Sequence, residues 1–249
     1  MSTSIPTSIP TSMATTTAMT NTIPQHHSNM ASLRLWQLIS PALPIGAYAY
    51  SQGLEYATES GWIHEETSAQ QWISGVLSNT VNRLDIPVLA KLHEAWKRHD
   101  QDTIQLWNAF LLAARESAEL RSEDAYLGGS LRQLLLDLNL PAAAQWPTEK
   151  ASSFANMFAL AAVHWQIPLY DTAMGYLWAW TENQVAAAIK LVPLGQVAGQ
   201  RILSHALELI PGLVDTGLSL SEEDIGALAP GLAIASALHE TQYTRLFRS

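Results

Sequence analysis

The stretch LRSEDAYLGGSLRQLLLDL, residues 120–138, decides the fold class of this chain. Its leucines recur at intervals of seven, four, three and four residues: Leu120, Leu127, Leu131, Leu134 and Leu138. These intervals place the side chains on one stripe of an α-helix. Because such a stripe must be buried against another element, the stretch predicts an amphipathic helix in a helical core.

The same helical period recurs on both sides of this stretch. It is carried by two further groups of residues: Leu89, Leu92 and Trp96, and Trp107, Phe110, Leu111 and Ala114. Prolines at positions 87, 141, 147, 168, 193 and 211 are expected at or near the ends of helices. Runs that alternate apolar and polar residues are absent. We therefore predict an all-α fold, a single globular domain of about eight to ten helices with short connections.

The composition divides the chain into a tail and a domain. Of the 249 residues, 48% are hydrophobic, only 14% are charged and nine are Trp, which excludes disorder throughout. The first 30 residues contain no charged side chain and thirteen Ser or Thr, with the repeat TSIPTSIPTS at 3–12. We predict a disordered Ser/Thr/Pro-rich tail over residues 1–32 and an all-helical domain over residues 33–249.

Charge and cysteine content exclude several classes of function. The net charge of −9 argues against binding to nucleic acid, which requires a basic face. The chain has no Cys, so disulfide scaffolds, thiolate metal sites and Cys nucleophiles are excluded. No stretch reads as a membrane span or a secretory signal, and we expect a protein that does not bind membranes.

Motifs for catalysis or for cofactor binding are absent. There is no phosphate-binding Gly-rich loop, dinucleotide fingerprint, nucleophile elbow or His-Glu-x-x-His pair. The eight His residues are too scattered to pair on one helix face. Glu116, Glu119 and Glu123 form an acidic row beside Arg115 and Arg121, which we interpret as a salt-bridged helix face. We expect no catalytic residue, no metal site and no cofactor.

Two stretches are unusual for ordinary helix packing. SPALPIGAYAYSQGLE, residues 40–55, combines two Pro, two Gly and two Tyr between helical segments. We expect a rigid turn there, with Gly46 in a backbone conformation closed to other residues. VPLGQVAGQ, residues 192–200, begins a helix in which Gly195 and Gly199 would allow close helix approach.

At these residues the chain resembles the UreF family of urease accessory proteins. The run LRLWQLISPALPIGAYAYSQGLE at 33–55 resembles the opening signature of that family. The resemblance continues in order through five shorter motifs: DIP at 85–87, ELRSE at 119–123, LGGSL at 127–131, VPLGQ at 192–196 and HETQYTRLF at 239–247. It spans residues 33–249 and does not include the tail.

The resemblance implies a non-catalytic nickel-delivery chaperone of the cytosol that forms a homodimer. Members of the family bridge the scaffold protein UreD, called UreH in some organisms, and the nickel-carrying GTPase UreG. Together these proteins insert nickel into apo-urease as GTP is hydrolysed. Two alternatives stay open on the residues: an all-helical enzyme with an unrecognised carboxylate site, and a helical adaptor unrelated to urease.

The resemblance also suggests which residues meet partners. The expected surface for the second protomer or the GTPase comprises Pro44, Gly46, Tyr48, Tyr50, Ser51, Glu55, Lys190, Pro193, Gly195, Gln196 and Gln200. The expected surface for the scaffold comprises His239, Glu240, Tyr243, Arg245, Leu246, Phe247 and Arg248. Within it, Tyr243, Leu246 and Phe247 would share one face of a helical turn that enters a groove of the partner. The alternative is that this segment docks on its own domain.

Overall fold

The computed structural model describes residues 1–2 and 24–249, with side chains described from residue 29 onward in the second range. Within that part, ten α-helices follow one another along the chain: α1 (Pro24–Leu38), α2 (Leu54–Glu59), α3 (Glu66–Val76), α4 (Ile86–Arg98), α5 (Gln101–Ala113), α6 (Ala118–Asp137), α7 (Phe154–His164), α8 (Leu169–Leu191), α9 (Gln196–Ser219) and α10 (Pro230–His239). Short 3₁₀ turns lie at Ala47–Ala49, Pro141–Gln145 and Glu222–Asp224. The described residues contain no β-strand, which confirms the predicted all-α fold.

Helix α7 lies at the centre of the fold. Its residues 155–162 are all buried, because α7 packs against α4 on one side and against α6 on another. Trp96 of α4 donates its indole N–H to the Asn156 side chain at 2.9 Å, which satisfies a polar group within this core. Helices α8 and α9 pack along each other, and no described helix has the length and apolar character needed to cross a membrane.

The leucine stripe of α6 is confirmed over most of its length. Leu120, Leu127 and Leu131 are buried, whereas Leu138 is 39% exposed. Helix α6 ends at Asp137, so Leu138 no longer follows the helical period, and Leu135 is the buried residue of the last turn. The stripe therefore faces the core up to the point at which the helix ends.

Pro87 lies in the first turn of α4, as predicted, but the helical path of the chain does not begin there. Residues Leu77–Asp85 form a π-helix that joins α3 to α4 without a break, so Pro87 lies within a continuous helical segment. Proline has no N–H and leaves the carbonyl four residues earlier without a helical donor. That carbonyl, of Arg83, accepts instead from the backbone N–H of Gly226 at 3.1 Å. Pro211 also lies inside a helix, α9, rather than at its end.

The domain boundary predicted at residue 33 falls inside α1. This helix begins at Pro24, and Ala31 is already buried against the core. Once a helix is docked, each added residue gains a backbone hydrogen bond at small entropic cost, so the helix extends beyond its packed turns. Residues 3–23, the greater part of the predicted disordered tail, lie outside the described residues.

A pair of adjacent glycines in α6 provides a test of the packing of α6 on α7. A Cβ atom on Gly128 would overlap the Ser152 carbonyl oxygen, whereas a Cβ on Gly129 would meet nothing within 4 Å. We expect Gly128→Ala to lower the free energy of unfolding by about 2 kcal/mol or more, as overpacking does. Gly129→Ala is the matched control and should stabilise by about 0.5–1 kcal/mol through helix propensity. Urea denaturation measures both, and equal effects would contradict the close contact.

Candidate functional site

The segment 40–55 forms a rigid connection between α1 and α2. Gly46 and Gly53 have positive φ angles of 81° and 76°, and the expectation for Gly46 is therefore confirmed. Gly53 is constrained twice, since a Cβ there would also meet the Ser236 backbone nitrogen at 2.9 Å. Helix α8 holds the segment from the side, with the Trp180 indole N–H donating to Gln52 at 2.8 Å.

The C-terminal segment, residues 240–249, docks against segment 40–55. The Glu55 carboxylate accepts the backbone N–H groups of Leu246 at 2.7 Å and Phe247 at 2.9 Å. Ser51 donates both its backbone N–H, at 2.8 Å, and its hydroxyl, at 2.5 Å, to the backbone oxygen of Ser249. Two buried side chains of one segment thus satisfy the backbone of the other.

A histidine at the end of α10 links this docked pair to α6. His239 is fully buried, with Nε2 3.2 Å from Glu55 and Nδ1 2.7 Å from Glu119. The ring thus bridges Glu55 of the segment 40–55 and Glu119 of α6. Arg245 pairs with the second oxygen of Glu119 at 2.5 Å, so this one carboxylate contacts both α10 and the C-terminal segment.

Glu123 completes the contacts of the C-terminal segment with α6. Its carboxylate accepts from the Ser249 hydroxyl at 2.6 Å and from the Gln52 amide at 2.8 Å. Burial raises the pKa of Glu123 to about 7, although both hydrogen bonds act to lower it. The predicted salt-bridged helix face is therefore wrong for Glu119 and Glu123, because their partners come from distant parts of the chain.

A second buried cluster lies beside this one, around Arg115. The guanidinium donates two hydrogen bonds to Asp85, at 2.7 Å and 3.1 Å, and one to Asp124 at 2.9 Å. Asp85 also accepts from the Tyr176 hydroxyl at 2.9 Å, and Asp124 accepts from the Phe154 backbone N–H at 2.7 Å. Burial acts to lower the pKa of Arg115, but Asp124 and Asp85 outweigh it and the net shift is well upward. The guanidinium is therefore permanently charged.

A cavity of about 320 Å³ separates the Arg115 cluster from the segment 40–55. The segment contributes Leu43, Ile45 and Tyr48 to its lining. Helix α8 contributes one face: Tyr176, Ala179, Trp180, Glu182, Asn183 and Ala186. The Arg115 cluster forms part of the polar lining. Four of the motifs found in the sequence, at 33–55, 85–87, 119–123 and 127–131, thus meet around one cavity.

The structure places the predicted partner-binding residues in two groups. Five are buried and contact the protein's own chain: Tyr50, Ser51, Glu55, His239 and Phe247. Gly46 is half-buried, and the remainder are exposed: Pro44, Tyr48, Lys190, Pro193, Gly195, Gln196, Gln200, Glu240, Tyr243, Arg245, Leu246 and Arg248. The buried group fixes the position of the segments that carry the exposed group.

The helical turn predicted near the C-terminus is not formed. Helix α10 ends at His239, and the exposed fractions of Tyr243, Leu246 and Phe247 are 103%, 76% and 7%. These three residues therefore do not share one face. The backbone of this segment donates hydrogen bonds to Glu55 rather than forming a helical turn. The alternative prediction, that the segment docks on its own domain, agrees with the contacts of Phe247 and Ser249.

Lys190 contacts the docked segment rather than lying apart from it. Its ammonium group is 5.6 Å from the centre of the Phe247 ring, within the range of a cation–π interaction. Close approach of α9 to α8 occurs at Gly199, where a Cβ would be crowded by Ile189, and not at Gly195, which has open space around it. The predicted role in packing is thus correct for one of these two glycines.

Sequence reasoning missed the four residues of the second cluster as a group. Asp85 belongs to a motif that was noted, but nothing local indicates that it meets Arg115, Asp124 and Tyr176. The useful signal was Arg115 itself, one of 13 basic residues in a chain where charge is scarce. An Arg between two apolar helices requires a buried partner.

Fold and site together define an all-α protein in which buried ionic clusters hold a glycine-rich loop and a C-terminal segment in place. The UreF family model matches residues 63–207. The urease accessory protein UreF of Alkalilimnicola ehrlichii is 51% identical over 220 residues, covering 88% of this chain and 96% of the relative. Those of Hahella chejuensis and Marinobacter nauticus are 48% and 47% identical, over 88% and 92% of this chain and 99% of each relative. The chain belongs to the UreF family of urease accessory proteins.

The docking of the C-terminal segment is tested at Glu55. Glu55→Gln keeps the size of the side chain but weakens acceptance from Leu246 and Phe247. We expect hydrogen exchange of those two amides to accelerate about tenfold, because hydrogen bonds to charged groups stabilise more than neutral ones. Glu94→Gln, at an exposed residue of α4, is the control and should leave both amides unchanged. Unchanged protection in Glu55→Gln would contradict the assigned role.

The raised pKa of Glu123 gives stability a defined pH dependence. Between the ordinary value of 4.5 and about 7, the folded chain keeps a proton on Glu123 that the unfolded chain has lost. The free energy of unfolding therefore falls as pH rises through this window, by roughly 3 kcal/mol in total from this group. Glu123→Gln should remove this fall. Urea denaturation at intervals across the window tests it, and parallel curves for variant and parent would refute the assignment.

Proposed function

We propose that this protein bridges the UreD/UreH scaffold and the UreG GTPase and thereby helps to couple GTP hydrolysis to the insertion of nickel into apo-urease. Membership of the UreF family, at about half identity over most of the chain, is the observation that carries the proposal. The protein acts without catalysing a reaction of its own, as a homodimer in the cytoplasm. Nickel is the cargo of the assembly.

The contacts of the site support a role in holding partners. Two exposed apolar side chains belong to segments whose backbone is held by buried hydrogen bonds. They are Tyr48, which is 72% exposed, and Leu246, which is 76% exposed. Anchors of this kind bind with little entropic cost because the backbone that carries them is already ordered. Glu55 belongs to the segment 40–55 and accepts from the backbone of the C-terminal segment, so it positions both surfaces at once.

Each surface has a proposed partner. We assign Lys190 and the adjoining residues 193–200 to the GTPase, since an exposed cation at a helix C-terminus complements an acidic surface. We assign the exposed residues of the C-terminal segment, Tyr243, Leu246 and Arg248, to the scaffold. Aromatic and Arg side chains are the types that most often dominate the free energy of binding at interfaces.

The proposal is tested by reconstitution of urease activation from apo-urease, UreD, UreG, Ni²⁺ and GTP. Adding this protein should raise urease activity well above the level reached without it. Lys190→Glu should reduce both activation and the capture of UreG by the complex with UreD, because charge reversal at a binding surface weakens association.

Lys97→Glu is the matched control, with the same charge change at an exposed residue in the last turn of α4. It should leave activation and capture unchanged. Retention of UreG by the Lys190→Glu complex would remove Lys190 from the proposed surface. Full activation in the absence of this protein would overturn the proposed function itself.

A further inference from the structure

The cavity next to segment 40–55 contains hydrogen-bond acceptors that no donor satisfies. Thr80, at the π-helix, is only 3% exposed, and its hydroxyl oxygen has no partner among the described residues. Oε1 of Glu116, in the connection before α6, is also buried and unpartnered. Both residues line the cavity. Buried polar atoms without a partner are costly, which indicates that a donor from outside the chain belongs there.

The lining of the cavity is rich in carboxyl groups. Its lining contains five acidic residues, Asp85, Glu116, Glu123, Asp124 and Glu182, against a single basic residue, Arg115. The ion pairs of the guanidinium are with Asp85 and Asp124. Burial raises the pKa of Glu182, and it raises the pKa of Glu116 although the nearby Arg115 acts to lower it.

The remaining walls of the cavity are apolar. Leu38, Leu43, Val81 and Phe154 are among the residues that form them. Exposed lining residues are found on the loop, at Pro41 and Tyr48, and on α8 at Ala186, so the cavity opens between these two elements. Its volume of about 320 Å³ is sufficient for a small organic molecule.

We propose that this cavity is a binding site for a small aliphatic primary amine in its ammonium form. The ammonium group has three donors and no acceptor, and it would donate to Thr80 and to Glu116. Its alkyl chain would lie against the apolar walls. The inference concerns this chain alone and does not depend on the proposed partners.

A bare divalent cation fits the cavity less well. The described residues contain no group of three or more acidic or His side chains placed to hold a metal ion. Asp85 and Asp124, the most central carboxylates, already accept from Arg115 and from further donors. The orphaned acceptors include a hydroxyl, which is a weak metal ligand and a good partner for an N–H donor.

Three probes of equal chain length distinguish the contribution of charge to binding affinity from that of apolar burial: pentylammonium, 1-pentanol and pentanoate. Isothermal titration calorimetry of each into the full chain should show binding of pentylammonium about tenfold tighter than of 1-pentanol. Pentanoate should not bind. Equal affinity for the amine and the alcohol would overturn the proposal, and so would a cavity that takes water only and binds none of the three.

Variants locate the binding on the protein. Thr80→Val keeps the shape of the side chain and removes the hydroxyl, and Glu116→Gln removes the charge. Each should weaken pentylammonium about tenfold and leave 1-pentanol unchanged. Glu222→Gln, at an exposed residue outside the cavity lining, is the control. Wild-type affinity for pentylammonium in both cavity variants would place the amine elsewhere and refute the site.

Discussion

The pairing of one guanidinium with two carboxylates, Arg115 with Asp85 and Asp124, is the interaction on which the rest of the structure depends. It joins the end of the π-helix to α6, and its hydrogen bonds to Tyr176 and to the Phe154 backbone extend it to α8 and α7. Asp85, Asp124 and Tyr176 are buried, and only 12% of the Arg115 side chain is exposed. Removing Arg115 would leave two buried carboxylates without a cation, at a cost of about 3–5 kcal/mol.

This cluster also determines which parts of the chain face each other across the cavity. The segment 40–55 has two sides: Leu43, Ile45 and Tyr48 line the cavity, while Ser51 and Glu55 hold the C-terminal segment. A short segment whose two ends make these different contacts cannot be part of a continuous helix. Its positive φ angles at two glycines reverse the chain twice within a few residues, which explains its unusual composition.

The fold class was predictable because the helical period of apolar residues is a local property. Leu127 and Leu131 of α6 and Leu89 and Leu92 of α4 are buried where that period places them. The π-helix was not predictable in the same way. A proline at 87 is typical of a helix start, and whether the preceding helix continues depends on whether another segment supplies donors for its free carbonyls.

The candidate site was less predictable than the fold because its partners are distant in sequence. Glu119 and Glu123 repeat at a helical interval, which favours a solvated face, yet their partners are Gln52 and residues beyond 238. The apolar spacing of Tyr243, Leu246 and Phe247 suggested a helix for the same reason. Side-chain spacing does not show that the backbone of this segment finds its acceptors on Glu55.

The hydrogen bonds between Ser51 and Ser249 have a consequence for how the molecule is made, since 198 positions along the chain separate the two residues. Contacts between consecutive helices, such as α4 with α5 and α8 with α9, become available as the polypeptide emerges from the ribosome. The segment 40–55 cannot form these hydrogen bonds until residue 249 has been added and has left the ribosomal exit tunnel. During translation, the polar groups of Ser51 and Glu55 are open to solvent and to chaperones. Closure of this loop therefore cannot precede the synthesis of residue 249.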